Sequence, residues 1–314
     1  MMVSAYLSLI ISFVITAVFM PLLIPFLRKL KFGQSILEDG PNWHAKKQGT
    51  PTMGGLGMIL GVVCASLIFA HSFTGMAVTV CAVLFGLVGF VDDYIKVVKK
   101  HNQGFTPIQK FSAQMAVSLA FALYIFFVEG KSATLIPFGS ELDLGWLYIP
   151  FVMFVLLATS NSVNLTDGLD GLAASVTTVA ALFFTVACAQ WGEADVSAVM
   201  AAVVGACVGF LIYNFYPAKV FMGDTGSLFL GGALGAAAIA AGLELFLIIG
   251  GFVFLFETLS VIIQVTYFKK TGKRVFKMTP IHHHFEMCGW KEPKIVFVFS
   301  AVTLVLCVIC YFGL

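Results

Sequence analysis

The chain has 314 residues, of which 60% are hydrophobic and only 11% charged. Soluble domains run nearer half apolar and a quarter charged, so an ordinary soluble globule is excluded and most of the surface must meet lipid. A formal net charge of +2 leaves no electrostatic footprint for a nucleic-acid partner. Of the cysteines, Cys64, Cys81, Cys188, Cys207, Cys307 and Cys310 lie inside apolar runs, where a thiol acts as a small hydrophobe, and no CxxC metal pattern or disulfide framework is present.

A bilayer span takes about 20 predominantly apolar residues. Ten stretches qualify, at about 3–27, 53–70, 74–91, 111–128, 146–162, 171–190, 198–214, 227–242, 245–267 and 295–313. The runs are continuous rather than alternating, which predicts helices and not a barrel. The expected architecture is an all-α polytopic membrane protein with ten transmembrane helices, forming one domain over residues 1–314. The first stretch is too long for a signal-peptide core and lacks a basic leader, so it is expected to be retained. Between the fourth and fifth stretches, Pro137, Gly139 and Gly145 predict a small hairpin.

Lysine and arginine set the orientation. Arg28, Lys29, Lys31, Lys46 and Lys47 follow the first stretch; Lys96, Lys99, Lys100 and Lys110 separate the third from the fourth. Lys219 follows the seventh, and Lys269, Lys270, Lys273, Arg274, Lys277, Lys291 and Lys294 separate the ninth from the tenth. Only Lys131 lies opposite. Odd-to-even loops are therefore expected in the cytoplasm and both termini outside. Every second stretch begins at that face, bringing unpaired N–H groups and positive dipole ends to one level, which favours a bound anion.

The same loops carry the unusual polar residues. Asp92 and Asp93 follow the third stretch directly; neighbours on a helix point about 100° apart, so the two carboxylates cannot address one atom. Lys96, four residues after Asp92, is an ordinary intrahelical partner, and a solvated helix end is the plain alternative to a functional pair. Asn161, Asn164, Asp167 and Asp170 step by three through the end of the fifth stretch, a polar ladder that capping explains only in part. Gly168 and Gly171 interrupt it and allow a ligand to approach the backbone. Gly223-Asp224-Thr225-Gly226-Ser227 opens the eighth stretch, with an aspartate for a hard cation and hydroxyls and N–H groups for phosphate, or a simple N-cap. Phe221 just ahead can stack on a base or anchor the chain. Three adjacent histidines, His282, His283 and His284, have no familiar zinc spacing and suit hydrogen bonding to phosphate. Asn214 and Gln264 are candidates for the same cleft; Glu257 has no assigned role. Carboxylates, helix N-termini and Lys/His beside lipid suit phosphoryl transfer from a nucleotide-activated donor to a lipid phosphate.

Segments 49–55 (GTPTMGG), 91–94 (VDDY), 164–171 (NLTDGLDG), 221–228 (FMGDTGSL) and 277–286 (KMTPIHHHFE) resemble the phospho-N-acetylmuramoyl-pentapeptide-transferase family, a branch of the polyprenyl-phosphate N-acetylhexosamine-1-phosphate transferases. They occur in that family's order and span nearly the whole chain. The last segment is the most discriminating, because the related transferases carry a different histidine loop there. The resemblance implies transfer of phospho-N-acetylmuramoyl-pentapeptide from its UDP-linked donor to undecaprenyl phosphate, with release of UMP, dependence on Mg²⁺, and a homodimer in the bacterial cytoplasmic membrane. It implies that Asp224 binds the metal and that Asp92 and Asp93 are the essential acidic pair. It places Lys47, Thr52, Lys110, Asn161, Asn164, Asp167, Asp170, Asn214, Phe221, Gln264, His283 and His284 on the substrate side, with uracil near Asp170 and Phe221. Rival readings are an N-acetylglucosamine-1-phosphate transferase, a lipid-binding scaffold and a secondary transporter; a transporter would set its polar residues near the midplane, often in repeated halves.

Overall fold

In the computed structural model, residues 2–30, 47, 49–99 and 104–314 are described. Lys31, Lys46 and Lys100, counted among the basic loops, lie outside them. The helices are α1 (Met2–Lys29), α2 (Gly55–Phe69), α3 (Phe73–Lys99), α4 (Pro107–Phe127), α5 (Tyr148–Thr166), α6 (Leu172–Gln190), α7 (Ala194–Asn214), α8 (Gly223–Ala240), the short α9 (Phe246–Gly250), α10 (Phe252–Thr271), the short α11 (Ile281–Met287) and α12 (Glu292–Tyr311). Among the described residues, eight helices are long and apolar enough to cross a bilayer. The protein is a multi-pass helical membrane protein. The other two predicted stretches form α2, of 15 residues, and α8, of 18 residues, whose first turn is the polar Gly-Asp-Thr-Gly-Ser run.

Sequence and structure differ at three further places. The ninth stretch is broken at Gly251, which separates α9 from α10. The histidine segment is helical, as α11, rather than loop, with Pro280 supplying a fixed φ at its start. α4 begins earlier than its apolar run because Thr106 and Gln109 form a capping box ahead of Pro107.

α8 is the centre of the bundle. Nearly every residue from Thr225 to Ala240 is buried, and its run of Gly and Ala lets α3 and α5 approach backbone to backbone. α7 is likewise buried over most of its length, between α1 and α6. By contrast α1 exposes Val3, Leu7, Ile10, Val14, Val18 and Leu22, a helically spaced stripe that faces lipid.

The expected hairpin is present. β1 (Ala133–Leu135) pairs antiparallel with β2 (Glu141–Asp143), in the register Ala133↔Asp143. Thr134 Oγ1 donates to Glu244 at 2.6 Å, the Tyr148 hydroxyl donates to the same carboxylate, and Lys131 pairs with Glu193 at 2.6 Å. These bonds fasten the hairpin over the C-terminal end of α8, the end opposite Asp224.

Candidate active site

Asp224 stands in the first turn of α8, and Gly89 lets α3 reach it. A Cβ on Gly89 would collide with the carbonyl of Asp224 and the amide of Thr225. One turn further along α3, Asp92 and Asp93 diverge as neighbouring helix positions must. Asp93 turns to the N-terminus of α8: it accepts from the Asp224 amide at 3.2 Å, the Thr225 amide at 2.9 Å and the Thr225 hydroxyl at 2.7 Å. It thus caps a helix to which it does not belong, satisfying N–H groups that a helix start leaves open. Gly223, at φ +71°, makes the turn into α8, where a Cβ would press on Asp93 and Thr52.

Asp92 turns the other way. Its Oδ1 accepts from the Phe105 amide at 2.6 Å, and its Oδ2 lies 2.8 Å from Lys96 Nζ and 3.5 Å from Lys110 Nζ. Both ammonium groups also lie 2.8 Å from Asp224 Oδ2. Two carboxylates from different helices therefore converge on the same two cations. Asn164, one turn from the end of α5, donates 2.8 Å bonds to Asp224 Oδ1 and to Ser227 Oγ. Asn161, a turn deeper, donates to Gln114 of α4 at 2.7 Å instead.

A second cluster lies alongside. Lys47 Nζ is 2.7 Å from both Asp170 Oδ1 and Glu292 Oε2. Burial alone would lower the Lys47 pKa, but hydrogen bonds and charge from Asp170 and Glu292 leave it raised, so this cation stays charged. Asp170 also accepts from the Ala218 amide at 2.9 Å, and Asn214 links the Gly171 amide at 3.0 Å to the Val220 carbonyl at 2.9 Å. The 167–171 loop is thereby tied to the 215–222 loop. That loop pairs in turn with the segment ahead of α2: Phe221 N donates to Pro51 O at 2.8 Å, and Gly54 N donates to Phe221 O at 2.9 Å. Thr52 is buried beside Gly223, and Met53 takes a left-handed φ of +71°, a conformation that costs energy in a side-chain-bearing residue.

Three predicted residues sit apart from the acids. Gln264 uses both ends of its amide on the chain beyond α10, accepting from the Val275 and Phe276 amides at 2.9 and 3.0 Å and donating to the Phe276 carbonyl at 3.0 Å. It brackets the basic loop. His283 Nδ1 is 2.6 Å from Glu286, and His284 Nδ1 accepts from the Lys277 amide at 3.1 Å. Glu292, which the sequence reading passed over, anchors the Lys47 cluster from the first turn of α12. Its only sequence signal is an acid at a helix start in a chain where acids are scarce.

The match to known proteins is extensive. Residues 75–242 match the family described as glycosyl transferase family 4. The phospho-N-acetylmuramoyl-pentapeptide-transferase of Clostridium botulinum (strain Alaska E43 / Type E3) is 49% identical over 310 residues, covering 98% of this chain and 95% of the relative. The protein of that name from Halalkalibacterium halodurans is 50% identical over 304 residues, covering 95% and 94%. The chain belongs to the phospho-N-acetylmuramoyl-pentapeptide-transferase family. Among the described residues of this family member, no three His, Cys, Asp or Glu side chains form a ready-made metal cage; the acids meet around lysines instead.

Asp167, just past the end of α5, is pushed up to about 8, first by burial and then by the carboxylates of Asp224, Asp93 and Asp170. A folded-state pKa above the unfolded value means that the folded protein holds the extra proton, so its stability falls as pH rises towards 8. Asp167→Asn removes that proton. The melting temperature of the variant, measured by scanning fluorimetry in detergent without divalent metal, is expected to gain on the wild type from pH 5 to 8 and to level off above. A constant difference across that range would contradict the assignment.

Proposed function

We propose that the protein transfers phospho-N-acetylmuramoyl-pentapeptide from its UDP-linked donor to undecaprenyl phosphate, releasing UMP and the first lipid-linked peptidoglycan precursor. The observation that carries this reading is the convergence of Asp92 and Asp224 on Lys96 and Lys110, in a chain about half identical to transferases of that name along nearly its whole length. In this reading α1 to α8, α10 and α12 span the cytoplasmic membrane, both termini lie outside, the acids face the cytoplasm, and two copies form a homodimer. The distribution of lysine and arginine supports that orientation.

The donor set is all oxygen, which suits a hard cation, and Mg²⁺ is commonly held by one or two carboxylates with substrate phosphates completing its shell. Asp224 and Asp92 would hold it. Bound there, Mg²⁺ supplies neutralisation of two anions that otherwise repel each other. The chain's own residues do the rest. Lys96 and Lys110 bridge the two carboxylates and hold them in place, Asp93 fixes the first turn of α8, and Asn164 sets the Asp224 rotamer by holding Oδ1. The 167–171 and 215–222 loops, with Phe221 and Asp170, receive the uridine end; Lys47, Thr52, His283 and His284 lie on the substrate side. A phosphate monoester has a second pKa of about 6, so the acceptor is largely dianionic at neutral pH and its need for a general base is modest.

Purified protein in detergent is expected to release UMP from the pentapeptide donor when the lipid phosphate and Mg²⁺ are present. A transporter would release none without a compartment to fill, and preference for UDP-N-acetylglucosamine in a donor competition would favour the related transferases. The orientation has its own check. Cys288 is exposed in the loop after α11; an impermeant maleimide is expected to label it in permeabilised cells and not in intact spheroplasts.

A further inference from the structure

We infer that Glu257 and His282 are positioning residues for the nucleotide donor, acting through Gly168; the inference rests on the function proposed above. Glu257 of α10 is fully buried, and His282 of α11 is 1% exposed. A carboxylate that deep is costly unless it is paired and hydrogen-bonded. Its partner is the imidazole: His282 Nδ1 lies 3.1 Å from Glu257 Oε2, and the His282 amide donates to the same oxygen at 3.4 Å. A carboxylate facing Nδ1 places a proton there and locks the ring orientation, the logic by which carboxylates orient histidines elsewhere.

The other edge of the ring is the informative one. Nε2 is buried and has no hydrogen-bond partner among the described residues. It rests against Gly168, where an added Cβ would run into Nε2 and Cε1 of the imidazole. The three histidines thus go three ways: His283 to Glu286, His284 to the Lys277 amide, and His282 inward to the loop.

The 167–171 loop has two supports. Hydrogen bonds from Ala218 and to Asn214 and Glu292 hold Asp170 and Gly171. The locked imidazole limits the other half, at Gly168, next to Asp167. Without Glu257 the ring is free to turn, and the half of the loop carrying Asp167 loses its backing while Asp170 stays tied. Neither Glu257 nor the His282 ring reaches the surface, so they act through the loop and do not touch substrate.

The test uses the full chain in detergent, with Glu257→Gln and Glu257→Leu compared with wild type. Gln keeps an oxygen for Nδ1; Leu removes it. Glu257→Leu is expected to raise the donor KM about tenfold, the order of one lost buried hydrogen bond, with the acceptor KM unchanged. Glu257→Gln should stay within about twofold of wild type. An unchanged donor KM in Glu257→Leu overturns the proposal. So does a fall in kcat alone, or an equal rise in both KM values, since either would mark a general structural role. If Glu257→Leu fails to fold, Gly168→Ala presses on the same contact from the other side and must raise the donor KM; if it does not, the proposal falls. Calorimetric binding of UMP gives the same comparison without turnover. Wild-type protein that releases no UMP would sink the proposed function, whereas loss of UMP affinity in Glu257→Leu but not in Glu257→Gln would still support the positioning role.

Discussion

Asp224→Asn is expected to cut UMP release by roughly 10³-fold or more while leaving the protein folded, the scale of losing a principal electrostatic group at a phosphoryl centre. Asp92 and Asp224 each pair with both Lys96 and Lys110, at contact distances of 2.8 to 3.5 Å. Asparagine leaves an excess positive charge. It also turns an amide NH₂ towards donors, either the two ammonium groups at Oδ2 or the Asn164 amide at Oδ1. Either way one of the bonds that aim the side chain becomes a clash between donors. Initial rates against Mg²⁺ concentration, with melting temperature as the check on folding, decide it; normal turnover in the variant would refute the proposed metal role of Asp224. Asp92→Asn is expected to recover part of its activity at raised pH, because the acceptor phosphate sheds its second proton near pH 6 without assistance.

Gly89→Ala is the second large effect, and it requires no change of charge. The new methyl group would meet the backbone of Asp224 and Thr225, which cannot rotate out of the way as a side chain can. α3 must then lift from α8, carrying Asp92 and Asp93 with it. Overpacking of this kind costs about 1–3 kcal/mol, and a displacement of about 1 Å at reacting groups costs about a hundredfold in rate. Lowered melting temperature together with at least a hundredfold loss of UMP release is the expected result. Gly250→Ala is the control, since a Cβ there meets Cys307 and Cys310 only at ordinary contact distances of 3.5 and 3.6 Å. Equal behaviour of the two variants would refute the close-approach argument.

Much of the bundle was legible in the sequence because the signal is local. Every apolar run became helical, the ninth as two helices, and the Pro137/Gly139/Gly145 segment became a hairpin. The polar ladder is real as far as Asn164, but Asn161 turns to α4 and Asp170 to Lys47, so residues spaced by three do not share one target. The break at Gly251 had only the Gly250-Gly251 pair as its sequence signal, between flanks that are equally apolar. What the sequence could not yield were pairings set by the way helices cross. Glu292 meets Lys47 across 245 residues, and Asp93 meets Thr225 across 132. Gln264 was legible as a polar residue near a helix end, but its hydrogen bonds to residues 275 and 276 were not. His282 and Glu257 were each visible as single polar residues, but not as a pair.

The foreign cap on α8 has a consequence for how mutational screens of this protein will read. Adjacent aspartates invite the conclusion that they share one task, a conclusion that a scan scoring growth has no means to test. Yet position 93 secures the first turn of α8, on which position 224 stands, so its loss disturbs that turn without touching the Asp224 side chain. Losses at the two positions of that dipeptide are thus different failures behind a single readout.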